Sequence, residues 1–182
     1  EAAEQGYPEA QVNLGLMIAN GRGVKQDYKE AIKWWSVAAE QGHAFAQNNL
    51  GATFEKGRGV SIDYKEAIKW YRLSAEQGDG IAQFNLGSLY DKGQGVTQDY
   101  KEAIKWYKLS AEQGIAQSQY NLGLMYSEGR GVTQDYKESF KWFTHSAEQG
   151  IPEAQHLLGA MYYEGIGVAQ DYKEAEKWYK LS

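Results

Sequence analysis

The sequence predicts an all-α protein, a solenoid of stacked helix pairs, on three observations. Gly6, Gly42, Gly78, Gly114 and Gly150 recur every 36 residues, and Trp34, Trp70, Trp106, Trp142 and Trp178 keep the same period. A unit this short cannot close a hydrophobic core alone, so it must stack on copies of itself. Apolar residues inside each unit follow helical spacing, and no stretch alternates apolar with polar residues long enough for a strand.

Each unit holds two helices. Helix A of the first unit is expected near Glu9 to Ala19, where Ala10, Leu14, Met17 and Ile18 share one face. Pro8 and Pro152 fall at the first helical position, where the missing N–H costs nothing. Gly21, Gly57, Gly93, Gly129 and Gly165 are placed to end helix A in a left-handed conformation.

Helix B is expected near Tyr28 to Gln41, with Ala31, Trp35, Ala38 and Ala39 in its buried stripe. Tyr71, Tyr107, Phe143 and Tyr179 keep an aromatic at the Trp35 position. Asp27-x-x-Glu30 recurs as Asp63/Glu66, Asp99/Glu102, Asp135/Glu138 and Asp171/Glu174, a spacing that predicts a reciprocal cap. Gly42, Gly78, Gly114 and Gly150 end helix B. Gly15, Gly51, Gly87, Gly123 and Gly159 lie inside helix A, where glycine costs about 1 kcal/mol relative to alanine. Five such glycines predict a close crossing, with Ala31, Ala67, Ala103 and Ala175 opposite and Ser139 as the exception.

The units fall at about 6–41, 42–77, 78–113, 114–149 and 150–182, giving one solenoid segment over 1–182. Residues 1–5 read as the tail of a preceding repeat, because EAAEQG matches AAEQG at 38–42 and SAEQG at 74–78. The sequence stops at Ser182, where the next AEQG should begin. It is therefore expected to be part of a longer repeat array.

Composition narrows the function. A formal net charge of -5 argues against nucleic acid or an anionic membrane surface as partner. Lysine and glutamate are interspersed, with no charged tail. With no cysteine there is no disulfide or thiolate chemistry, and either redox compartment fits. No apolar run approaches the length needed to span a bilayer.

The loop GRGV at 21–24 recurs as GRGV, GQGV, GRGV and GIGV. A phosphate-binding glycine loop would need a preceding strand and a third glycine or a Lys-Ser/Thr, so a turn whose valine plugs the core is the better reading. His43, His145 and His156 lack metal-ligand spacing, so no metal is expected. Acidic residues sit at repeated capping or solvent positions, and no catalytic carboxylate pair breaks the repeat. The recurring tryptophans read as packing between units rather than as a ligand-stacking platform. Asn13, Asn49, Asn85 and Asn121 read as bonded to neighbours, with Leu157 ending that series.

One face of helix A varies while the scaffold holds. Its positions read Glu9, Phe45, Ile81, Gln117, Glu153; then Val12, Asn48, Phe84, Tyr120, His156. Next come Leu16, Ala52, Ser88, Leu124, Ala160; then Ala19, Glu55, Asp91, Ser127, Tyr163. Spacings of three and four put these on one side of the helix, the side expected to line a concave groove. Phe45, Phe84, Tyr120, His156 and Tyr163 are the candidate anchors, Asn48, Glu55, Asp91 and Ser127 the candidate polar contacts, and Ile81 and Leu124 complete the candidate binding face.

The pattern AEQGxxxAQxxLGxxYxxGxGVxxDYKEAxKWYxxS resembles the Sel1-like repeat, a relative of the tetratricopeptide repeat. The resemblance spans essentially all 182 residues, with minor departures at Ala19, Trp35, Ser118 and Leu157. It implies a right-handed α/α superhelix like that of tetratricopeptide repeats, serving as an adaptor or scaffold that binds a protein or peptide. It carries no catalytic residue and no cofactor. The wording of the units looks bacterial, which favours a periplasmic or secreted setting. The expected function is a non-catalytic interaction scaffold. The alternatives are an architectural or self-associating segment, or a carbohydrate- or peptidoglycan-binding module.

Overall fold

Short helices alternate with tight loops along the whole chain. The structure, a computed structural model, describes Glu1–Ser182. The helices at the A position are α1 (Pro8–Asn20), α3 (Ala44–Lys56), α5 (Gly80–Lys92), α7 (Ala116–Glu128) and α9 (Pro152–Glu164). Those at the B position are α2 (Tyr28–Glu40), α4 (Tyr64–Glu76), α6 (Tyr100–Glu112), α8 (Tyr136–Glu148) and α10 (Tyr172–Tyr179). There is no strand, as the hydrophobic period requires. The chain divides into two compact units, Glu1–Gln98 with α1 to α5 and Asp99–Ser182 with α6 to α10. Within each, every helix packs against the next in sequence.

The helix ends are set locally. Asp63 Oδ1 accepts from the backbone N–H of Lys65 and Glu66, and Asp99, Asp135 and Asp171 do the same at α6, α8 and α10. Such a cap contributes about 1 kcal/mol. The cap is one-sided, however, and not the reciprocal box the spacing predicts. The N–H of Asp63 donates to the carbonyl of Phe54 at the end of α3, and Asp135 and Asp171 repeat this with Tyr126 and Tyr162. The glutamate is left to pair with a lysine one turn on, as Glu30 does with Lys33 at 2.7 Å. That exposed pair adds little stability.

At the other end of helix A, Gly57 takes φ +65°, which an L side chain rarely adopts. A glutamine in the following loop then reaches back to an open carbonyl. Gln26 donates to Ala19, Gln98 to Asp91, Gln134 to Ser127 and Gln170 to Tyr163, at 2.7–2.8 Å. The loop valine does not plug the core: Val24 is 46% exposed, and Val60, Val96, Val132 and Val168 are only partly buried. The second loop glycine explains the motif instead. A Cβ on Gly59 would lie 2.8 Å from Tyr28 Cβ and 3.0 Å from the Lys29 nitrogen. The loop thus lies directly on the start of the preceding helix B, and Arg58 covers the Tyr28 ring at 5.7 Å.

Helix A and helix B of one hairpin meet where glycine faces an aromatic ring. A Cβ on Gly15 would sit 2.5 Å from Trp35, one on Gly51 2.6 Å from Tyr71, and one on Gly123 2.5 Å from Phe143. The alanine series does lie nearby, since Ser139 Oγ donates to the Gly123 carbonyl at 2.8 Å. The ring, not the alanine, is what demands the glycine.

A second, polar seam joins successive hairpins. Gln11, Gln47, Gln83, Gln119 and Gln155 are all buried in helix A. Each Nε2 donates to a carbonyl near the end of the preceding helical segment: Ala3, Ala39, Ala75, Ala111 and Ala147, at 3.1–3.2 Å. The Oε1 atoms of Gln11, Gln47 and Gln119 accept from Gln41, Gln77 and Gln149 at the end of the following helix B. The asparagines form no comparable ladder. Asn85 Nδ2 donates to Asn48, whereas Asn49 Nδ2 is buried without a partner.

Replacing Gln47 by leucine should cost about 1–3 kcal/mol, because two hydrogen bonds vanish and the buried carbonyl of Ala39 is left with the Gly42 N–H alone. Gln98→Ala, which frees one exposed carbonyl, should cost under about 1 kcal/mol. Urea unfolding of the two variants measures the difference. Equal losses would show that the buried seam is not special.

Candidate functional site

The variable face of helix A divides by depth. In the unit 1–98, Phe45 and Ile81 stand out at 39% and 50% exposed. Val12 and Ala19 are buried, and so are Asn48 and Ser88. Asn48 is therefore no surface contact: its side-chain oxygen accepts from Asn85 at 3.2 Å. Glu55 is half-buried and engaged inward, its Oε2 accepting a hydrogen bond from the Tyr71 hydroxyl at 2.7 Å. Phe84 and Asp91 are half-buried.

In the unit 99–182 the same face opens into a trough between α7 and α9. One compartment of about 520 Å³ is lined by Tyr120, Leu124, Pro152, Glu153, His156, Leu157 and Ser182. A neighbouring compartment of about 260 Å³ shares Leu124 and Leu157 and continues past Ser127, Tyr136, Ala160 and Glu164. Four of the residues expected on the binding face, Tyr120, Leu124, Ser127 and His156, thus come together. Tyr163 is 55% exposed but lies outside the trough, edge-on to Tyr172 with ring centroids 5.4 Å apart.

The walls are held from behind. Tyr120 leans on Phe143 with centroids 5.9 Å apart, and His156 on Tyr179 at 5.4 Å. Burial, helped by the charges of Glu153 and Glu128, pushes the Tyr120 phenol above its ordinary range, so it remains a donor at neutral pH. Ser127 Oγ is turned to its own helix, donating to the Leu124 carbonyl at 2.8 Å. Both compartments are lined mostly by carbon, and neither is lined by lysine or arginine. Glu153 and Glu164 stand exposed at the rim without an ion pair.

Sequence reasoning missed Leu157 and Ile166 as walls of the trough. Both were visible as apolar residues standing where other units carry asparagine and, in three units, arginine. The tryptophans Trp106, Trp142 and Trp178 are buried, with Lys105, Lys141 and Lys177 over their rings at 5.1–5.4 Å. No three His, Cys, Asp or Glu side chains are grouped to hold a metal ion. No helix is long and apolar enough to cross a membrane.

The chain matches the Sel1 repeat over residues 8–43, 44–79, 80–115, 116–151 and 152–182. Among solved structures it is similar to a protective antigen present in uropathogenic Escherichia coli strains and displaying an SLR fold. The two share 46% identity at a TM-score of 0.97, over 100% of this chain and 39% of the antigen. It is also similar to a Sel1 repeat protein from Oxalobacter formigenes, at 40% identity and a TM-score of 0.92, over 97% of this chain and 73% of that one. Helicobacter pylori cysteine rich protein B shares the fold alone, at 22% identity and a TM-score of 0.59, over 76% of this chain and 99% of that one. No curated protein matches the sequence.

The inward turn of Glu55 makes a pH test. Burial, then the hydrogen bond and charge of Glu55, push the Tyr71 phenol well above its ordinary value. The folded state therefore holds this proton more tightly than the unfolded one. The stabilisation is complete below about pH 10, the ordinary tyrosine value, and is lost as pH rises beyond it. Tyr71→Phe should lower stability at pH 7 by about 1–2 kcal/mol and flatten its decline above pH 10. Thermal melts across pH 7–11.5 check both effects.

Proposed function

The chain belongs to the Sel1 repeat family, and from that premise we propose that it is a non-catalytic scaffold that takes a protein segment in the helix A trough between α7 and α9. Sel1 repeat proteins are generally interaction scaffolds without enzymatic activity. The chain spans 39% of the length of the Escherichia coli antigen it resembles.

The observation that carries the reading is the coincidence of two independent features. Six of the positions that vary between repeats, Tyr120, Leu124, Ser127, Glu153, His156 and Ala160, line one continuous apolar trough of unit 99–182. Variation at framework positions would disturb stacking, whereas variation here changes only what the surface accepts. Tyr120, Leu124 and His156 offer broad contact at modest entropic cost. Glu153 and Glu164, exposed and unpaired, favour cationic flanks on the partner. The segment is therefore an extended or helical peptide stretch with one or two large apolar side chains between lysines or arginines.

A peptide array tests this directly. Decapeptides with a central Leu-Phe pair should bind when flanked by lysine and not when flanked by glutamate. Tyr120→Ala should weaken the lysine-flanked set by about tenfold or more, the loss of one hot-spot contact. The charge reversal Glu153→Lys should narrow the preference for lysine flanks. Binding that ignores the flanks and survives Tyr120→Ala would sink the assignment.

A further inference from the structure

A second cavity opens on the other side of the unit 99–182, between the B helices α6 and α8. It measures about 460 Å³ and is lined by Lys108, Glu112, Tyr126, Glu138, Lys141 and Trp142, over a floor of Leu122. Its lining differs in kind from the trough between α7 and α9, being rich in hydrogen-bonding groups rather than carbon. Trp142 is 8% exposed, and its indole N–H is buried without an acceptor. The side chains of Lys108, Glu112 and Tyr126 make no hydrogen bond or ion pair, whereas Lys141 and Glu138 pair with each other at 3.6 Å.

The repeat supplies an internal control. One repeat earlier, Arg72 stands where Lys108 does and Tyr90 where Tyr126 does. There the guanidinium donates to the Tyr90 hydroxyl and lies over its ring at 6.0 Å. One repeat later, Thr144 bonds back to its own helix at Phe140, and Phe140 packs edge-on against Tyr162 at 5.3 Å. Only the pairing of Lys108 with Tyr126 leaves both groups unanswered. Trp106 has an unanswered indole N–H as well, so the company of Lys108 and Tyr126 is what distinguishes this cavity.

Unmet buried donors cost free energy unless something answers them. The Trp142 indole is the buried, unmet donor of this cavity; beside it stand the half-buried Tyr126 hydroxyl, the exposed Lys108 ammonium and the exposed, unpaired carboxylate of Glu112. Burial, then the Glu138 charge, raises the Tyr126 phenol above its ordinary range, so it keeps its proton. The indole face cannot serve as a sugar-stacking surface, because Lys141 already lies over it at 5.1 Å. We propose that this cavity is a second binding site, for a small zwitterion such as an amino acid or short peptide. Its carboxylate is taken by Lys108, Tyr126 and Trp142, and its ammonium by Glu112.

The indole N–H signals of the full chain test the site by NMR, with Trp142 assigned from the signal missing in Trp142→Phe. Titration with alanyl-alanine should move the Trp142 signal, whereas acetate and the doubly capped dipeptide should move it far less at equal concentration. Lys108→Arg should reproduce the Arg72–Tyr90 contact and close the cavity. The dipeptide response should then weaken about tenfold or more, with the urea midpoint unchanged. A Trp142 signal indifferent to alanyl-alanine, an equal response to the capped dipeptide or to acetate, or undiminished binding in Lys108→Arg overturns the proposal.

Discussion

Gln47 uses one side-chain amide to hold three helices. Its Nε2 donates to Ala39 at the end of α2, while its Oε1 accepts from Gln77 at the end of α4. Apolar burial alone would tolerate a slide of α3 along its neighbours, because the hydrophobic effect has no direction. An amide has direction at both ends, and in a dry setting a misplaced one loses partners it cannot replace with water. The repeated glutamine therefore fixes the register of α3 and α7 against the helix before and the helix after. Every other packing feature presupposes that register.

The glycine and aromatic pairs are the clearest dependents. Tyr71 fits against Gly51 with no room for a methyl group, so the fit survives only if α3 and α4 stay within a few tenths of an ångström of this placement. The variable face depends on the same pin. Val12, Asn48, Phe84, Tyr120 and His156 each directly follow the buried glutamine, one step of about 100° round the helix. Side-chain identity can change there because the backbone is held by the residue before. The series runs from buried Val12 to exposed His156.

What was legible in the sequence was local or periodic. Helix limits, the aspartate caps and the left-handed glycines depend on residues within a turn of one another, and the 36-residue period exposed them. The stacking of hairpins followed from the shortness of the unit. Features that depend on a neighbour's size were not legible. Nothing near Glu55 in sequence says that Tyr71 will take it inward, and nothing near Asn48 says that Asn85 will cover it. The loop valine misled because an apolar residue between glycines suggests a plug, when the loop's tight contact is made by glycine backbone. Gln47 was overlooked for the opposite reason. A polar helical residue reads as surface, although its place beside Ala46 on the apolar stripe was the available clue.

Both cavities open where the chain departs from an arginine used elsewhere. Arg58 and Arg130 lie over the rings of Tyr28 and Tyr100, each 5.7 Å from the centroid, and those tyrosines are half-buried. At the next such place Ile166 stands in for the arginine; Tyr136 is 42% exposed and joins the wall of the trough. On the opposite side Arg72 reaches Tyr90, while Lys108, without a planar fork, leaves Tyr126 unanswered. A repeat protein stacks through positions it holds constant and makes concavities by shortening the side chains that bridge its units. Two such shortenings, on opposite sides of α7, give this chain one apolar recess and one polar recess while the glutamine seam between them is unchanged.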